Sequence, residues 1–203
     1  MSTASLNIKS IVIALVGVLV FVSDTHAATT YELTSPNKRI HLRIDVGPGI
    51  EYDLLLNQVP LLENSTLALD VERRKLGVAP QVLSATPTTV NRELRVPVPQ
   101  KFAVLREHYN ELRLAFKDAY AVVFRLYNEG MAYRFETSLP QNTVRVYNEE
   151  ATLAFAGNFH VYYPKEEGFF SHNEREFVYL PLKEITQSSL ASIPVIVDTN
   201  TGA

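Results

Sequence analysis

The sequence contains no cysteine and no tryptophan. Without thiols there is no disulfide, no thiolate metal site and no cysteine nucleophile, so the fold rests on packing alone. A basic block is also missing. Nineteen Lys and Arg are set against 22 Asp and Glu, for a formal net charge of −3. Nucleic-acid binding usually needs a clustered Lys/Arg footprint, so the composition argues against that class of partner. The one long apolar run, residues 11–22, is shorter than the roughly 20 residues a comfortable membrane span requires. Nothing after Val22 is apolar for long enough to cross a bilayer. What remains, in 203 residues, is enough chain for one domain with a real core.

Lys9 precedes the apolar run, and Ser23-Asp24-Thr25-His26-Ala27 follows it, with small residues at Thr25 and Ala27. A charged, then apolar, then small-residue order is that of a signal peptide. Residues 1–27 are therefore expected to be a leader cleaved after Ala27. The mature chain, 28–203, is then periplasmic or secreted, with no membrane attachment after cleavage. No cysteine sits at the cleavage site, which argues against a lipoprotein.

The mature chain reads as β structure. Ile40, Leu42, Ile44 and Val46 alternate with His41, Arg43 and Asp45. Such period-2 patterning sends one face to a core and the other to water. Gly47-Pro48-Gly49 breaks the strand, and another begins at Ile50. Leu112, Leu114 and Phe116 repeat the alternation. The clearest unit spans residues 120–135, where Asn128-Glu129-Gly130 joins two alternating runs into a hairpin, with Gly130 free to adopt positive φ. Pro80, Pro87, Pro97 and Pro99 cannot donate to a ladder and belong at edges, strand ends or connections. Residues 182–191 are expected to hold at most a short helical turn. Many short strands with turns between them indicate an all-β, antiparallel two-sheet sandwich. The strand at 193–197 runs into a turn at 198–203 with no returning strand, so the chain is expected to stop inside a hairpin, leaving its last strand as an unpaired edge.

The candidate chemistry is sparse. Glu149-Glu150 and Glu166-Glu167 are adjacent pairs, and neighbours on a strand point to opposite faces, so neither pair converges. Glu174 and Glu176 share a face but leave no gap for a sugar between them. All six are read as solvated acids near turns, and Asn64-Ser65-Thr66 as a turn. His160 and His172 lack a third ligand at metal spacing. Arg125 and Arg134 flank the hairpin turn, with Glu136 as an expected cross-strand ion-pair partner. The aromatic stretch within residues 157–179 is the strongest site candidate, because aromatic faces stack on sugars and Tyr adds a hydroxyl.

Several ordered segments resemble the N-terminal domain of glycoside hydrolase family 97, a family of secreted bacterial α-glucosidases and α-galactosidases. They are Tyr31-Glu32-Leu33-Thr34-Ser35-Pro36-Asn37, Arg106-Glu107-His108-Tyr109-Asn110-Glu111-Leu112, the hairpin from Phe124 through Asn128-Glu129-Gly130 to Phe135, and Phe155-Ala156-Gly157-Asn158. The resemblance implies a galactose-mutarotase-like supersandwich that packs in cis against a (β/α)8 catalytic barrel absent from this chain. It also implies a carbohydrate partner, and calcium beside the barrel carboxylates of a full-length member. No residue here matches a family catalytic group or metal ligand, so none is assigned, and the chain alone is expected to be inactive. Family members often show tryptophan where this chain reads His160-Val161-Tyr162-Tyr163-Pro164. The residues expected to face sugar or barrel are Tyr162, Tyr163, His172 and Tyr179. The alternative is a stand-alone periplasmic carbohydrate-binding module.

Overall fold

The alternating segments pair as their patterns require. In the computed structural model, which describes residues 28–99, 101–171 and 174–199, β1 (Thr29–Thr34), β2 (Ile40–Val46), β3 (Ile50–Leu56) and β4 (Val59–Val71) form an antiparallel meander. The short β5 (Arg74–Leu76) pairs with β4, and β10 (Val146–Ala151) closes the first sheet on β4's other side. A second sheet runs in order β6 (Val82–Arg95), β7 (Val104–Phe116), β8 (Tyr120–Tyr127) and β9 (Met131–Thr137). The helical turn expected within 182–191 is a single 3-10 turn, Leu182–Glu184.

The two sheets pack face to face. Leu42, Ile44, Ile50 and Leu67 from the first meet Leu114, Val122, Phe124 and Leu126 from the second in one buried cluster. This is the antiparallel sandwich that the patterning indicates, with the apolar face of each strand turned inward.

Two local devices were hidden in the sequence. The first is a bulge in β4, where Asn64 takes φ of 55° and its N–H donates to Asp53 Oδ1 at 2.8 Å. The Asn64-Ser65-Thr66 segment is therefore strand, not turn, and Ser65 is buried within it. The second is at Gly77, whose φ is +92° and whose Cβ, were one present, would lie 2.7 Å from the Leu67 carbonyl oxygen. Gly130, by contrast, does not use a positive φ; the hairpin closes through the Tyr127 N–H donating to the Gly130 carbonyl at 2.8 Å.

β8 is buried on both faces. On its outer side Val123 lies between Arg113 and Arg134 in the ladders. The two guanidinium groups converge on Glu136, at 2.9 and 2.7 Å. Long charged side chains covering apolar surface with their stems account for that burial. Glu136 thus serves Arg113 and its own-strand neighbour Arg134, while Arg125 pairs across the ladder with Glu111 at 2.6 Å and lies over the Tyr109 ring.

Candidate functional site

After β10 the chain leaves the sandwich along the bulged strand. Leu62 bridges Phe155, the Glu63 N–H donates to the Ala154 carbonyl at 2.9 Å, and the Ala154 N–H donates to Ser65 Oγ at 3.0 Å. These contacts carry the chain into a third, small sheet that two-layer reasoning did not anticipate. Its centre is β11 (His160–Glu166), flanked by β12 (Phe177–Pro181), β13 (Leu190–Ala191) and β14 (Ile196–Asp198). The last described strand pairs on one side with β11, with Val161 opposite Val197 and Tyr162 opposite Ile196, and among the described residues no strand pairs with its other side. Residues 200–203 of the final turn lie outside the described residues, as do the leader and His172.

Alternation along β11 sorts the candidates. His160 and Tyr162 point to one face, and Val161 and Tyr163 to the other. Tyr163, expected to face sugar or barrel, is instead only 5% exposed. The open face carries Tyr162, Phe177 and Tyr179 at 40%, 48% and 46% exposure, beside Ile196. Tyr179 stacks on His160 with centroids 5.0 Å apart and a 20° interplanar angle, and on Tyr162 at 4.2 Å and 31°. Its hydroxyl donates to Asp198 Oδ2 at 3.1 Å. Burial pushes the Tyr179 phenol up, and Asp198 adds to the shift. Phe177, Ile196 and Asp198 joined this face through register with Tyr162, a signal that needed the pairing of β11 to be known.

This arrangement decides what the face can do. A sugar stacks on an exposed ring face. Tyr179 packs against the rings of His160 and Tyr162, and its hydroxyl is engaged by Asp198. Tyr162, Phe177, Tyr179 and Ile196 together form one part-exposed apolar surface.

Three of the six candidate carboxylates are committed elsewhere. Glu149 accepts from the Tyr133 hydroxyl at 2.7 Å, and Glu150 accepts from Lys75 Nζ at 2.7 Å and from Thr66. Lys75 and then Thr66 hold the Glu150 carboxyl below its ordinary range. Glu166 is not solvated as expected: it is buried, with Arg175 Nε 3.0 Å from Oε2. Burial raises its carboxyl, and hydrogen bonds from Ser171, Arg175 and Ser192 outweigh that, leaving it below the ordinary value. Among the described residues, no three His, Asp or Glu side chains gather where a metal ion could be held.

Comparison with known proteins gives the architecture its relatives. The family model described as Glycosyl-hydrolase 97 N-terminal matches residues 33–203. A retaining α-galactosidase of Bacteroides thetaiotaomicron is 27% identical over 186 residues, covering 87% of this chain and 28% of that protein. A family 97 glycoside hydrolase from a Pseudoalteromonas species, solved with panose, superposes with a TM-score of 0.67 at 16% identity, over 76% of this chain and 25% of that one. A β-arabinopyranosidase gives 0.62 at 15% identity, over 73% and 26%. The two structural likenesses carry the fold alone. This chain spans about a quarter of the length of the relatives it matches. With a family match across all three of its sheets, the chain belongs to the N-terminal domain family of glycoside hydrolase family 97.

Proposed function

We propose that this is the non-catalytic N-terminal module of an exported glycoside hydrolase acting on α-glucosides or α-galactosides. It buttresses the catalytic barrel and walls one side of the sugar pocket. The observation that carries the reading is the open face of the third sheet. Tyr162, Phe177, Tyr179 and Ile196 form a contiguous, part-exposed apolar surface. Aromatic residues clustered on one rigid face are typical of the buried centre of an interface. Calcium belongs to the reading only at the level of a full-length family member, and no residue of this chain is assigned to it.

The test is turnover. The purified chain is expected to release no chromophore from aryl α-glucosides or aryl α-galactosides, and measurable hydrolysis would overturn the proposal. Titration with malto-oligosaccharides and galactosides separates the alternative. Saturable heat at millimolar sugar would favour a stand-alone carbohydrate-binding module.

A further inference from the structure

The hairpin of β6 and β7 outruns the rest of its sheet. β8 pairs with β7 only as far as Tyr109, opposite Tyr127. Past that point the ladder continues from Asn91 opposite His108 to Arg95 opposite Val104, five further pairs, with no third strand beside them among the described residues. The Val96 N–H then donates to the Ala103 carbonyl at 3.0 Å. At about 3.4 Å per residue, the result is a two-stranded finger reaching roughly 17 Å past the end of β8. A two-stranded ribbon standing alone is marginal in water, and this one carries apolar side chains at its tip. Val98 is 74% exposed and Phe102 64%, with Leu94, Val104 and Leu105 exposed behind them. Val96, Val98, Phe102 and Leu105 line one groove together with Lys101.

Charge along the finger specifies the partner. Residues 94–105 hold no Asp or Glu, in a chain whose formal net charge is −3. The two cations of this stretch, Arg95 and Lys101, have no carboxylate partner among the described residues. Acids appear only behind the Leu94–Leu105 pair, as Glu93 opposite Arg106 and Glu107 opposite Arg92, and Arg92 meets Glu107 at 2.6 Å. The finger is thus apolar and cationic at its tip and balanced in charge at its base. A bilayer with anionic headgroups over an acyl layer is complementary to that order. Interfacial segments present apolar side chains beside Lys and Arg, and anionic headgroups attract such cations within a Debye length. Long cationic side chains can stay at the headgroups while their stems lie along apolar surface. The backbone is suited to the same layer. Pro97 and Pro99 remove two N–H groups from the turn, and unsatisfied donors are what make irregular backbone costly near lipid. We infer that the tip of this hairpin is a docking site for an anionic phospholipid surface, with Val98 and Phe102 entering its apolar edge and Arg95 and Lys101 at its headgroups. The contact is with one leaflet and needs no membrane-spanning segment.

The test uses the mature chain, 28–203, so that the apolar run of residues 11–22 cannot supply the affinity. It is expected to sediment with vesicles of mixed phosphatidylglycerol and phosphatidylcholine, far less with phosphatidylcholine alone, and more weakly as salt is raised. Phe102→Trp places the chain's one tryptophan at the tip, and its emission should shift to the blue with the anionic vesicles. Phe102→Ser combined with Val98→Ser should weaken binding by at least about tenfold. Arg95→Gln combined with Lys101→Gln should erase the preference for anionic lipid. All four side chains are exposed, so both variants should melt as the native chain does. Phe177→Ser, on the outer face of the third sheet, should leave binding unchanged. Failure to sediment with the anionic vesicles at low salt would overturn the inference. So would unshifted emission from Phe102→Trp, which would leave the finger to a protein partner. Equal binding by the double serine variant, or loss of binding in Phe177→Ser, would overturn it by moving the contact away from the tip.

Discussion

At the scale of single residues, Glu166 departs furthest from what its type and neighbourhood indicate. A Glu-Glu-Gly sequence at a strand end reads as solvated, yet period 2 sends Glu166 to the same side as His160 and Tyr162, and the returning segment covers it. Its ion pair with Arg175 spans that return at 3.0 Å. A carboxyl held below its ordinary value of 4.5 is ionised in the folded state at pH values where the unfolded chain has begun to take up protons. The stability it contributes is therefore complete above about pH 5 and is lost as pH falls through the lowered value. Glu136 and Glu150 shift the same way, through Arg113 with Arg134 and through Lys75 with Thr66, so part of the acid sensitivity is theirs. Melting temperatures taken between about pH 6 and pH 3 should fall steadily for the native chain and less steeply for Glu166→Gln. Parallel slopes for the two proteins would show that the Arg175 pair carries no linkage.

At the scale of elements, legibility followed how completely each strand alternates. The bounds of β2 can be read from Ile40 to Val46, because it buries one clean face, and β3 opens the same way at Ile50 and Tyr52. The hairpin of β8 and β9 was equally plain. β6 was not, since it is exposed along almost its whole length and four prolines in and around it read as connection. Proline placement still proved informative: β6 is an edge strand, and Pro87 sits opposite Leu112 within it. A 14-residue edge is a template for unwanted pairing, and a proline there interrupts the row of free backbone donors. Pro87→Val should restore that row. Sedimentation velocity should then show concentration-dependent dimers or larger species where the native chain runs as one species. A monomeric variant at all concentrations would mean that the twist of the strand, not the proline, guards the edge.

At the scale of the whole molecule, the third sheet escaped the sequence because its signals are weak one by one. Its strands are short, its outer face is apolar, and its pairing joins residues 160–166 to strands that come later in the chain. The consequence is thermodynamic. The sandwich buries a continuous cluster drawn from both large sheets, whereas the third sheet contributes no fully buried member to it. Its own buried apolar side chains are Val161, Tyr163 and Pro164, beside a half-open apolar pocket. Regions with few buried contacts open at lower free energy than the core. Phe155 is the joint: it packs against the sandwich cluster, lines the pocket and meets Phe159 edge to face, with centroids 6.2 Å apart. Amide hydrogens of β11 and β12 should accordingly exchange faster than those of β2 and β8. Phe155→Ala, a truncation of the kind that costs roughly 3–5 kcal/mol where the ring is fully buried and less where it is partly exposed, should speed exchange in β11 and β12 selectively. Uniform acceleration across all three sheets would instead mean that the molecule unfolds as one unit, with the third sheet as strongly held as the sandwich.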